Sequence, residues 1–142
     1  MKEFHGRVIQ AQNWTGEAIV SHQGFNTLAS CQTSALLATS KKIIVSDQNN
    51  KDLYKKNITG KALCLPETIG STTGGMVIQT IAVRSLAPKA WLFSHHIDPL
   101  AASGIILSNV WNDAGLIAID ELGDDFLDAV KSGDKITIKE DY

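Results

Sequence analysis

The residues best suited to chemistry in this 142-residue chain are Gly70-Ser71-Thr72-Thr73-Gly74-Gly75. They sit within residues 62–80, ALCLPETIGSTTGGMVIQT, where an apolar run ends at Pro66, a glycine-bearing loop follows, and a helix is expected to start among the hydroxyl residues. The free backbone N–H groups of a helix start point back at such a loop and make a ready anion site. Gly70, Thr72, Thr73, Gly74 and Gly75 are therefore the expected anion-binding residues. A Walker A loop needs Gly-Lys-Ser/Thr at the helix start, whereas Gly75 and Met76 follow Gly74 here, which disfavours nucleoside triphosphates. The Rossmann pattern fails too, because the three glycines are wrongly spaced and no early strand leads into them with an acidic residue about 20 positions on. What remains is a small anion, a carboxylate or phosphate of a metabolite.

The hydroxyls have two competing roles. Ser and Thr are favoured helix N-caps, which would account for Ser71, Thr72 and Thr73 without any chemistry. Alternatively Ser71 is a base or nucleophile, which a serine hydroxyl becomes only when a neighbouring base or positive potential lowers the cost of its alkoxide. The helix start supplies part of that potential. No His or Asp nearby in sequence completes a triad, so the rest must come from elsewhere in the fold or from another chain.

Other reactive residue types are read as structural. His95-His96 with Asp98 looks like a metal cluster, but adjacent strand residues point to opposite faces, and Asp98 before Pro99 reads as an N-cap with its carboxylate already occupied. Cys31 and Cys64 lie 33 positions apart without a CxxC, and iron–sulfur clusters take about four cysteine ligands. Both read as inert thiols, with Cys31, in the polar SCQTS setting, the one expected to be more exposed. His5 and His22 read as surface or structural residues. Arg7 and Arg84 are the only arginines and are likewise read as structural, Arg84 favouring the dipole at the end of a helix. No metal site and no cofactor are expected in this chain.

Short β-branched or apolar runs at residues 4–10, 16–20, 43–46 and 62–65 read as strands, making the first half β-rich. The polar stretch Ser46 to Gly60 reads as a loop. The second half alternates: apolar 62–65, MVIQTIAV, KAWLF, the helix opened by Asp98-Pro99, then LIAI, a βαβαβ order. KAWLF and LIAI are nearly all apolar, as parallel strands covered on both faces are. Residues 125–132 read as a short helix, and KITIK as an edge strand after a Gly133-Asp134 turn. Pro66, Pro88 and Pro99 mark boundaries.

The length suits one domain of about 100–200 residues, spanning 1–142, and 44% hydrophobic residues supply a core without disulfides or a structural metal. Thirteen Lys+Arg against fifteen Asp+Glu give a net charge of −2, which lacks the basic footprint of a nucleic-acid binder. No signal peptide or run of 18 or more apolar residues is present, so a cytoplasmic protein, not bound to membranes, is expected. Trp14, Phe25 and Trp91 are expected to crowd so small a core, which together with the open cradle points to a larger partner.

The order of these features resembles the small, swivelling domain of the aconitase X family. The carrying residues are Gly60-Lys61-Ala62-Leu63, Pro66 with Gly70-Ser71-Thr72-Thr73-Gly74, Ala87-Pro88-Lys89-Ala90, Asp98-Pro99-Leu100-Ala101-Ala102-Ser103-Gly104, and Ser132-Gly133-Asp134-Lys135-Ile136. The family's FWGGVD-like stretch is replaced by LASCQTSALLATSKKIIVSDQNN, with Asp47 in the aspartate's place, and its second loop serine by Gly75. The resemblance implies an α/β fold of the swivelling β/β/α type. It also implies a hydro-lyase that dehydrates a small hydroxy acid, cis-3-hydroxy-L-proline or mevalonate 5-phosphate. The large catalytic subunit would hold an iron or iron–sulfur centre, and this chain would contribute Ser71 as the base and the anion-binding helix start. The alternative is a non-catalytic anion-binding or regulatory subunit of the same fold.

Overall fold

The computed structural model describes residues 3–36, 41–70 and 74–139. In chain order the elements are β1 (Arg7–Gln10), β2 (Trp14–Val20), β3 (Phe25–Asn26), α1 (Thr27–Leu36), β4 (Ala62–Leu65), β5 (Thr68–Ile69), α2 (Gly74–Val83), β6 (Ala90–Phe93), α3 (Pro99–Asn112), β7 (Ile117–Asp120), α4 (Asp124–Ala129) and β8 (Lys135–Ile138). One six-stranded sheet runs β1-β7-β6-β4-β2-β8, and β3 pairs with β5 in a separate ribbon. Strands β2, β4, β6 and β7 are parallel, while β1 and β8 close the two edges antiparallel.

Alternation along the strands divides the core into two layers, as the period of two requires. Leu63, Leu65, Trp91 and Phe93 face a cluster with Cys31 of α1, Ile78 and Ile81 of α2, and Ile105 of α3. Ala62, Cys64, Ala90 and Leu92 face the other way, onto Phe126 and Leu127 of α4. Both faces of β4 and β6 are thus covered, which is why ALCL and AWLF are apolar at every position. The expected alternation of strands and helices after residue 62 is present, with α3 capped by Asp98 and Pro99 in its first turn.

The first half departs from expectation twice. Residues 43–46 form no strand; Ile44 makes an isolated bridge with Asn57, flanked by backbone hydrogen bonds of Ile43 and Val45 with Lys55, Lys56 and Ile58. Helix α1 was not expected, because its inward positions Thr27, Ser30, Cys31 and Ser34 have helical spacing but are mostly hydroxyl residues. Ser34 earns its buried place by bonding the backbone of Ile44 in both directions. Packing of this face also corrects the expectation for Cys31, which is fully buried, as is Cys64. The aromatic expectation is corrected as well: Phe25 and Trp91 both fit the core, edge to face with centroids 5.9 Å apart. The tryptophan left outside is Trp111. Among the described residues no helix is long and apolar enough to cross a membrane.

Candidate functional site

The four parallel strands all end on one edge of the sheet, the edge at which open α/β sheets bind ligands. After β4, Pro66 turns the chain out of the main sheet. Thr68 and Ile69 then pair with Phe25 and Asn26, so the chain leaves this ribbon into α1 and toward α2 side by side. Gly70 has φ +103°, and a Cβ there would meet the Asn26 side chain at 2.7 Å; both facts favour glycine. Ser71, Thr72 and Thr73 lie outside the described residues. Gly74 and Gly75 open α2.

Three helices begin against one another here. A Cβ built on Gly74 would lie 3.8 Å from Thr27 Cβ at the start of α1, and one on Gly75 only 2.6 Å from the Leu100 carbonyl oxygen at the start of α3. The Asn26 side-chain Oδ1 caps α1 by accepting from Ala29 N at 3.0 Å. Asp98 caps α3 by accepting from Ala101 N at 3.0 Å, and its other oxygen accepts from the Thr68 hydroxyl. The Asp98 carboxylate is therefore occupied, as its N-cap reading requires. The starts of α1, capped by the neutral Asn26 amide, and of α2 add their partial positive charges at one place, whereas the Asp98 carboxylate offsets that of α3.

Beyond α3 the edge continues through a buried charge. Asp120 ends β7 with its side chain fully buried, and Arg7, its register partner on β1, is 46% exposed. Arg7 donates from Nε to Asp120 Oδ1 at 2.9 Å and from Nη2 to Oδ2 at 2.7 Å, while Ile97 N donates to Oδ2 at 2.8 Å. The hydrogen-bonded guanidinium holds the Asp120 carboxyl below its ordinary range against the opposing effect of burial. The pair lies 113 positions apart in sequence, and no local signal could have announced it. His95 and His96 are not on a strand but in the turn after β6, so the strand alternation expected to separate them does not apply; each ring lies beside carboxylates of its own.

The sequence model of the aconitase X swivel domain matches residues 3–142. The chain belongs to the aconitase X swivel-domain family. A phosphomevalonate dehydratase small subunit of Methanocaldococcus jannaschii is 29% identical over 136 residues, covering 96% of this swivel domain and 90% of that subunit. The small subunit of the same name from Methanocella arvoryzae is 33% identical over 86 residues, covering 61% of this chain and 60% of its own length. The holo-form crystal structure of Thermococcus kodakaraensis aconitase X superposes with a TM-score of 0.79 at 27% identity, over 96% of this chain and 90% of that one.

The described residues of this swivel domain do not gather a donor set for an iron or iron–sulfur centre. Among the described residues no three His, Cys, Asp or Glu side chains converge as metal ligands. Burial pushes both thiols up to about 12, so at neutral pH they are protonated, and they lie in different core layers, Cys31 in one and Cys64 in the other.

Asp120 makes stability depend on acidity in a predictable way. Its folded-state pKa is lowered, so its contribution is present above the unfolded value, about 3.9, and is lost as pH falls through the lower folded value. Asp120→Asn should therefore be less stable than wild type at neutral pH, and the gap should close as the wild-type carboxylate protonates. Urea unfolding of both chains from pH 7 downward measures this; a gap that stays constant into strong acid would show that the carboxylate charge contributes nothing.

Proposed function

We propose that this chain is the small subunit of a two-subunit hydro-lyase that removes water from a small hydroxy acid of the mevalonate 5-phosphate kind. The observation that carries this reading is the near end-to-end match to the Methanocaldococcus jannaschii phosphomevalonate dehydratase small subunit. The juxtaposed starts of α1 and α2 support it physically, because a phosphorylated or carboxylated substrate needs concentrated positive potential and free N–H donors. In this reading Gly70, Thr72, Thr73, Gly74 and Gly75 hold the anion and Ser71 takes the carbon-bound proton. An iron or iron–sulfur centre belongs to the large subunit, in keeping with the two protonated, buried thiols here.

An unfinished surface supports the need for a partner. Met76 and Val83 on α2, with Leu100, Leu107, Val110 and Trp111 on α3, are exposed, and apolar surface gathered on neighbouring helices marks interaction sites more often than solvent-facing ones. The test is reconstitution with the large subunit. Each subunit alone should give no turnover, and the two together should eliminate water from mevalonate 5-phosphate, with cis-3-hydroxy-L-proline assayed in parallel. Turnover by the small subunit alone would sink the two-subunit reading, turnover of cis-3-hydroxy-L-proline alone would move the substrate class, and anion binding without turnover by the complex would leave a binding subunit.

A further inference from the structure

His96, in the turn after β6, has its ring held from two directions. Arg7 Nη2 lies 3.3 Å from His96 Nδ1 and 3.4 Å from Nε2. An in-plane approach to both nitrogens would drive the guanidinium into the carbon between them, so it lies over the ring face, the stacked arrangement that arginine favours on flat rings. Nδ1 faces two carboxylates, Glu121 Oε1 at 3.4 Å and Asp120 Oδ2 at 3.6 Å. The stacking arginine is itself immobilised by the buried Asp120. Apart from that stack, Nε2 takes no partner among the described residues, and the side chain is 62% exposed.

The other histidines with described ring partners are placed differently. His95 sets Nε2 2.8 Å from Asp124 Oδ1 and Nδ1 4.0 Å from Glu67 Oε1, so a carboxylate stands at each nitrogen. His22 pairs with Asp52. His96 alone among these three combines carboxylates on one nitrogen, a fixed ring plane, and a second nitrogen with no carboxylate beside it, in a turn at the end of the parallel strands. A half-buried ion pair such as Arg7 with Asp120 is weak evidence for stability in its own right; holding an imidazole in one orientation gives it a further use.

We infer that His96 is a proton-transfer residue of the dehydration, presenting Nε2 to the substrate's hydroxyl group, with Arg7 and Asp120 as its positioning residues. The inference rests on the dehydratase reading. Hydroxide is a poor leaving group, and a positioned acid lowers the barrier to its departure. The imidazolium gives its Nε2 proton to the hydroxyl as the C–O bond breaks with its electron pair on oxygen, so that water leaves. The carbon-bound proton goes to the base, the C–H electron pair becomes the new C=C bond, and exchange with solvent resets the acid and the base.

The experiment is His96→Gln in the reconstituted two-subunit complex, read as kcat, KM and the pH–rate profile. The variant should assemble, lose a factor on the order of 10² in kcat with KM little changed, and lose the basic limb of the wild-type profile. Near-wild-type kcat with that limb retained would overturn the assignment, leaving His96 as a surface member of the Arg7–Asp120 staple. A wild-type complex that eliminates no water would instead remove the dehydratase reading and the reaction assigned to His96 with it. Ring-nitrogen NMR of the labelled chain reads the geometry independently of turnover. Nε2 should be the nitrogen that gains and loses the proton while Nδ1 stays protonated, and the opposite pattern would overturn the proposal.

Discussion

Ser71→Ala in the reconstituted complex should lower kcat by a factor on the order of 10²–10⁴, the usual size of a general-base contribution, with fold and assembly intact. The expectation follows from what a serine needs in order to act as a base: a positive potential that lowers the cost of its alkoxide. Ser71 precedes α2 by three positions, and α2 starts against the start of α1, so that the partial positive charges of these two helices add there. Thr72→Ala and Thr73→Ala separate catalysis from capping. If they act as N-caps, each costs about 1 kcal/mol of stability, visible in thermal unfolding, and leaves kcat far less changed than Ser71→Ala does. A Ser71→Ala complex with near-wild-type turnover and a lowered melting temperature would make Ser71 a cap and hand proton abstraction to the large subunit.

What the sequence disclosed, and what it hid, follows from how far each interaction reaches along the chain. Strands β4 and β6 are legible because four successive apolar residues can be buried only where both faces of a sheet are covered. The start of α3 is legible because Asp98 and Pro99 act within one turn. Helix α1 is obscured because Ser30 and Ser34 occupy inward positions that periodicity reserves for apolar residues, although Asn26, which caps it, was a local signal available to be read. Residues 43–46 have the composition of a strand, but the segment beside them, residues 55–58, is a short stretch between turns and allows only one bridge, Ile44 with Asn57, and strand propensity cannot foretell the absence of a longer neighbour. In the site, the glycines of the loop were visible and the convergence of three helices was not, since it depends on the β3–β5 ribbon delivering two helices together. Arg7, Asp120 and His96 meet only through tertiary structure, across β1, β7 and the turn after β6.

That convergence rests on a contact that admits no side chain, so Gly104→Ala should both destabilise the domain and impair the site from a distance. Gly104 is buried in α3. An added Cβ there would lie 2.7 Å from the Gly75 carbonyl oxygen and 2.9 Å from its Cα, and both are backbone atoms that no rotamer change can move aside. The helices must part, and overpacking of this kind costs about 1–3 kcal/mol, more than the improved helix propensity of alanine returns, about 1 kcal/mol. Parting α3 from α2 also moves the first turn of α2, and with it the N–H groups assigned to the anion, so KM for the substrate should rise in the reconstituted complex. Gly74→Ala is the control for stability. Its Cβ would sit 3.8 Å from Thr27 Cβ, an ordinary contact, and it should cost nothing in urea unfolding. Equal stability of Gly104→Ala and wild type, with an unchanged KM, would mean that α2 and α3 can separate freely and that the close approach of Gly75 and Gly104 does not set the position of the helix start.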